Sequence, residues 1–143
     1  MNEPAVYNVI VSLASNQEQE KHLREARQRL AQVLTDLIFT EAIWTEPIGA
    51  SQRTESRETS RQTGTAGDFP PLYLNQLVYA KTSLEAEQLN SRLKEIEISM
   101  GRTEELRNKG IVNIDLDLME HNGTRYHLKD WEREYVTKLL RST

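Results

Sequence analysis

Cysteine is absent from the 143-residue chain, which excludes disulfide scaffolds, thiol nucleophiles and cysteine-ligated zinc or iron–sulfur centres. Positive charge is not in excess either: 18 Lys and Arg stand against 22 Asp and Glu, a formal net charge of -4. Broad nucleic-acid binding needs a basic surface to displace counterions, so it is not expected. Apolar runs stop after a few residues, too short for a segment that crosses a membrane. The Met1-Asn2-Glu3-Pro4 start lacks the basic and apolar stretches of a secretory signal, and a cytoplasmic location is the expectation. No G-x-x-x-x-G-K-[ST], G-x-S-x-G or H-E-x-x-H motif occurs, so P-loop, nucleophile-elbow and zincin chemistries are set aside. Hydrophobic residues make up only 37%, and the length suits one domain over residues 1–143.

The polar excess is concentrated. From Ala50 to Gly67 the chain reads ASQRTESRETSRQTGTAG, with Ala50 and Ala66 its only hydrophobic residues. Such a stretch cannot bury enough surface to offset its ordering entropy, and a long mobile loop is expected over 50–67. The rest patterns as structure. Val6 to Ala14 predicts a buried strand. Ser15 to Glu18 has capping-box spacing, and Leu23, Ala26, Leu30, Val33 or Leu34, and Leu37 lie on one helical face. Ile38 to Glu46 predicts a second strand and Leu72 to Lys81 a third. A second helix starts near Thr82-Ser83-Leu84-Glu85, carries Leu89, Leu93, Ile96 and Met100 on its face, and stops at Gly101. Ile111 to Met119 predicts the fourth strand, and Trp131, Tyr135, Val136 and Leu139 a terminal helix. The order β-α-β-β-α-β is the ferredoxin-like, split βαβ arrangement: an α+β domain with an antiparallel sheet and helices on one face. Many unrelated functions use that fold.

Chemistry concentrates at Asn113-Ile114-Asp115-Leu116-Asp117-Leu118. Strand alternation puts Asn113, Asp115 and Asp117 on one face and Ile114, Leu116 and Leu118 toward the core, with successive carboxylates about 7 Å apart. A hard divalent ion such as Mg²⁺ takes one or two carboxylates and completes its shell with water and phosphate. An ordinary solvated strand face is the competing reading, although like charges side by side are unfavourable in a sheet. Among the histidines, His22 is expected on the solvated face of the first helix and His121 in a turn with Asn122-Gly123.

These residues, taken together, resemble the 6-hydroxymethyl-7,8-dihydropterin pyrophosphokinase family of folate biosynthesis. The matching segments are Ser15-Asn16, Thr45-Glu46-Pro47-Ile48-Gly49, Tyr73-Leu74-Asn75, Ile96-Glu97, Gly101-Arg102 and Asp115-Leu116-Asp117-Leu118, in family order. The resemblance implies the same ferredoxin-like core and transfer of diphosphate from ATP to the pterin hydroxymethyl group, releasing AMP. It implies that Asp115 and Asp117 hold two Mg²⁺ ions, and that Arg102 and His127 share in catalysis. Thr45, Pro47, Ile48, Tyr73, Asn75 and Tyr135 would form the pterin site. Glu97, Arg102, Arg107, Leu118, His127 and Arg133 would lie on the ATP side. The partners implied are these small molecules, with neither nucleic acid nor membrane, and oligomeric state is left open between monomer and dimer.

Departures from the family pattern include Ala14 for the usual Gly before Ser15, a tail motif reduced to Tyr126-His127, a longer 50–67 loop, and two arginine positions. Glu104 stands where the family usually has an Arg two residues after Arg102, and Val112 where it has an Arg three residues before the first metal Asp. Arg107 and Lys109 lie on the same loop as possible substitutes, although Lys is not equivalent to Arg at a bidentate site. Three readings stay open. The first is a working pyrophosphokinase with a modified phosphate clamp. The second is a non-catalytic member that binds a pterin or nucleotide as a sensor or interaction module. The third is a partner-binding ferredoxin-like domain with a solvated Asp pair.

Overall fold

A computed structural model describes residues 5–47 and 71–141; Ile48 and the segment 50–67 read as a loop lie outside them. Strand β1 (Tyr7–Ser15) forms the middle of the sheet, antiparallel to β4 (Tyr73–Thr82) on one side and to β5 (Asp115–His121) on the other. Its alternation divides two cores. Val9, Val11 and Leu13 pack with α1 (Gln19–Leu30) and α2 (Ala86–Ser99), while Ile10 joins Leu77, Met119, Val136 and Leu139 on the opposite face.

The second strand is interrupted: β2 (Thr35–Phe39) pairs with the end of β4 around Val78–Lys81, and β3 (Ile43–Thr45) with its start at Tyr73–Asn75. Treated as one broken strand, β2 and β3 give the spatial order second, third, first, fourth, all antiparallel. That is the ferredoxin-like order expected from the sequence. The break corrects the single strand predicted over Ile38–Glu46, and Thr40 explains it. Its N–H donates to Leu77 O at 2.9 Å, its Oγ1 accepts the Leu77 N–H at 3.0 Å, and its carbonyl accepts from Gln76 Nε2 at 2.7 Å. A side-chain oxygen takes over a ladder bond there, so the strand can bend without orphaning a buried donor.

The helix starts also differ from expectation. Ser15 ends β1 and its Oγ donates to Gln17 O, while α1 begins after Glu18, a non-glycine residue at φ 43° whose side chain caps nothing. The reciprocal capping box belongs instead to α2, between Glu85 and Gln88. The helix stripes hold: Leu23, Ala26 and Leu30 are buried on α1, and Leu89, Leu93 and Ile96 on α2. Leu37 belongs to β2, not to α1. Gly101 stops α2 at φ +96°, where a Cβ would also meet Asn113 Nδ2 at 3.1 Å.

His22 is buried, contrary to expectation, and His121 is the buried last residue of β5, directly before the Asn122-Gly123 turn in which it was expected. His22 Nδ1 contacts the carbonyl of Gln17, and His121 closes β5 with Nε2 2.9 Å from Leu84 O and its ring beside Tyr7. After β5 come β6 (Thr124–Arg125), the short helix α4 (Leu128–Trp131) and α5 (Glu134–Arg141), with α3 (Glu104–Asn108) between α2 and β5. Helices α1 and α2 share one face, as expected, and the terminal helix α5 packs on the opposite one. Its apolar residues supply the lid of the second core and one wall of the cavity beside it.

Candidate active site

On the α5 side of the sheet, a cavity of about 790 Å³ opens between the ends of β1, β3, β4 and β5 and the start of α5. Residues of alternating strands make its floor. Ser12 stands opposite Asp117 and Ala14 opposite Asp115 in the β1–β5 register, and these small side chains leave the space above the sheet open. Ile114, Leu116 and Leu118 of the same segment are buried on the helix face, so the predicted alternation is observed from Asp115 onward. Asn113 precedes β5 and turns away, its Nδ2 donating to Met100 O at 3.2 Å.

Thr45, Pro47, Tyr73, Asn75, Tyr135 and Arg133 line this cavity together with both aspartates. Asn75 is buried, and its amide nitrogen is 2.7 Å from Thr45 Oγ1 and 3.3 Å from Ile43 O. With the nitrogen satisfied by β3, the amide plane is held and the carbonyl oxygen is presented as an acceptor. Tyr73 and Tyr135 are half-buried, and burial pushes both phenols up, so each presents a neutral ring. Arg133 is oriented by Asp130, with Nε 3.0 Å from its Oδ1.

The aspartates are flanked by two cations and a histidine. Arg102 Nη1 lies 3.3 Å from Asp115 Oδ1, Lys94 Nζ 3.6 Å from Asp117 Oδ1, and His127 Nε2 3.8 Å from the same oxygen. Burial, then the neighbouring Asp115, raises the Asp117 carboxyl, against which Lys94 and His127 act in the opposite direction. Confining two carboxylates in partly dry surroundings disfavours the doubly charged state, and cations are the physical remedy.

Other residues named from the sequence sit elsewhere. Glu97 is 2% exposed, and its carboxylate serves the protein: it accepts from the Leu116 N–H at 2.7 Å, from Lys94 at 3.1 Å and from Arg102 at 2.9 Å. Its position is that of an anchor behind the site. The Leu118 side chain is in the core, pointing away from the cavity. Arg107 lines a separate, more open depression with Arg102, Thr103, Glu104 and Asn108. Arg102 therefore stands between the depression and the Asp pair. Lys94 was not singled out from the sequence. Its only signal was the K-x-x-E spacing to Glu97 on α2, which ordinary surface helices also show.

A family model described as 7,8-dihydro-6-hydroxymethylpterin-pyrophosphokinase (HPPK) matches residues 10–142. No curated protein sequence matches the chain. Among solved structures, an HPPK-DHPS variant from Plasmodium falciparum with pteroate is similar at a TM-score of 0.48 and 15% identity. That match covers 85% of this chain but 29% of the other, so the chain spans less than a third of that protein.

Proposed function

The chain belongs to the 7,8-dihydro-6-hydroxymethylpterin-pyrophosphokinase family, and on that premise we propose that it transfers diphosphate from ATP to 6-hydroxymethyl-7,8-dihydropterin. In that reaction the pterin hydroxyl oxygen loses its proton to solvent and bonds to the β-phosphorus, the bond from that phosphorus to the α,β-bridging oxygen breaks, and AMP leaves with that oxygen. The supporting observation is that both aspartate carboxylates line the same cavity as the Asn75–Thr45 pair. Phosphate-directed and ring-directed groups thus share one space, as a reaction between two bound substrates requires.

The donor set fits Mg²⁺. Among the described residues no cluster of three or more His, Cys, Asp or Glu side chains could hold a metal alone. Asp115 and Asp117 supply two oxygen-donor groups, which suits an ion that keeps waters and takes substrate phosphates as further ligands. Bound there with ATP, Mg²⁺ supplies neutralisation of the triphosphate charge. Asn75 orients the pterin amide edge through its acceptor oxygen, and the Tyr73 and Tyr135 rings confine the heterocycle. Thr45 and Pro47 shape the wall beside it. Arg102, Arg133 and His127 place positive or hydrogen-bonding groups around the polyphosphate.

The test is AMP release from ATP, Mg²⁺ and the reduced hydroxymethylpterin, compared with a protein carrying Asp115→Asn and Asp117→Asn. Equal AMP from both would overturn the proposal. The second reading, a pterin- or nucleotide-binding protein without turnover, draws on Glu104, a carboxylate beside Arg102 and Arg107 in the neighbouring depression. Pterin binding without AMP would select it.

A further inference from the structure

Between Asp115 and Leu118, β5 is paired to β1, whereas its pairing to β6 begins only at Glu120. Two side chains of α2 meet the other edge of β5 there. Glu97 Oε2 accepts the Leu116 N–H at 2.7 Å, and Lys94 Nζ donates to the Leu116 carbonyl at 3.0 Å. Together they supply the donor and the acceptor that a neighbouring strand would have offered. The lysine reaches further, to 3.6 Å from Asp117 Oδ1. Arg102 matches it on the other carboxylate, 3.3 Å from Asp115 Oδ1 and 2.9 Å from Glu97 Oε1. Each member of the Asp pair thus has its own protein cation, and both cations are tethered to one buried glutamate. The Lys94 side chain is 42% exposed and that of Glu97 3%: the anchor is buried, whereas the lysine that it holds borders solvent.

We propose that Lys94 is a positioning residue that acts as a resident counter-ion of Asp117, couples metal binding to nucleotide binding, and disfavours entry of the metal alone. The inference rests on the metal-binding role of Asp115 and Asp117 proposed above. A divalent cation arriving by itself meets carboxylates already neutralised and an ammonium that repels it. A cation arriving with a triphosphate brings an anion that accepts the displaced lysine, so the two ligands assist each other. Such coupling is reciprocal and measurable from either side.

The experiment uses the full chain, Mn²⁺ followed by electron paramagnetic resonance, and a non-hydrolysable ATP analogue followed by calorimetry. Neither readout needs pterin or turnover. Wild type is expected to bind each probe weakly alone and about tenfold more tightly in the presence of the other. Lys94→Gln keeps an N–H donor for the Leu116 carbonyl but removes the charge. It is expected to bind Mn²⁺ alone about tenfold more tightly, bind the analogue more weakly, and lose the coupling. Lys94→Arg should restore the wild-type pattern. Circular dichroism checks that each variant is folded. A role confined to closing the β5 edge would leave both affinities unchanged in Lys94→Gln or weaken both, and either result overturns the proposal. If wild type binds neither probe, alone or together, the metal assignment fails and this inference fails with it. Binding of both with unaltered coupling in Lys94→Gln removes only the role of Lys94.

Discussion

The carboxylate of Glu97 accepts a hydrogen bond from the backbone N–H of Leu116 at 2.7 Å, so a side chain of α2 completes the ladder of β5 at the residue between the two aspartates. Burial raises the Glu97 carboxyl, while the Leu116 N–H and Lys94 pull it back toward the charged form. Glu97→Ala would orphan that N–H and leave Lys94 and Arg102 without their shared partner. We expect a loss of about 2–3 kcal/mol, discounted from the cost of a fully buried pair because both cations are partly solvated. Glu97→Gln, which keeps an acceptor, should lose about half as much. Urea unfolding monitored by tryptophan fluorescence measures both, and a cost near zero for Glu97→Ala would remove the anchor role.

Asp117 should behave in the opposite way. Its carboxyl is raised by burial and by Asp115, which means that the charged form costs stability in the metal-free fold. Asp117→Asn is therefore expected to keep or gain stability in chelator, within about 1 kcal/mol, while AMP release falls about 100-fold or more. Paired melting and activity measurements on one preparation check this. A large destabilisation would mark Asp117 as a structural residue.

Thr45 holds the Asn75 amide through its hydroxyl at 2.7 Å. Thr45→Val preserves the shape of the β-branched side chain and removes that acceptor. The amide nitrogen then keeps only longer contacts to Ile43 O and Tyr73 O, at 3.3 and 3.4 Å. Pterin affinity should fall about fivefold to tenfold, with nucleotide affinity unchanged, as calorimetry with each ligand would show. Equal losses for both ligands would mean a general distortion of β3.

Ala14, opposite Asp115 on β1, keeps the cavity floor low. Ala14→Leu points its added atoms into open space, so stability should change by about 1 kcal/mol or less. Ligand binding beside the carboxylates should weaken by about 100-fold, since the new side chain occupies the volume. Tight pterin binding by a folded Ala14→Leu protein would place the ring elsewhere.

Much of this arrangement was legible along the chain. The two aspartates fall on one face because a strand alternates sides at every residue, and Ile114, Leu116 and Leu118 show which face is dry. Leu23, Ala26 and Leu30 mark α1, and Leu89, Leu93 and Ile96 mark α2, through the same kind of local periodicity. The histidines show the limit. His22 reads as a surface residue from its Lys and Arg neighbours, yet a turn folds back over it and offers the Gln17 carbonyl. The Thr40 break is equally hidden, because it depends on a hydroxyl meeting the Leu77 N–H of another strand.

The absence of cysteine, the mild acidity and the element order are properties of the chain alone, and they bounded the chemistry and the fold before any contact was known. Local periods suffice for that, since a period of two or of 3.6 residues is set by backbone geometry. What surrounds the aspartates was decided only by the tertiary structure. Glu97 is an anchor behind the site, and Lys94 and Arg102 are counter-ions, because one edge of β5 there faces α2 rather than a strand. Partners for its N–H and carbonyl had to come from residues distant in sequence. An unpaired buried donor is costly wherever it occurs, but which side chain satisfies it depends on where the helices pack.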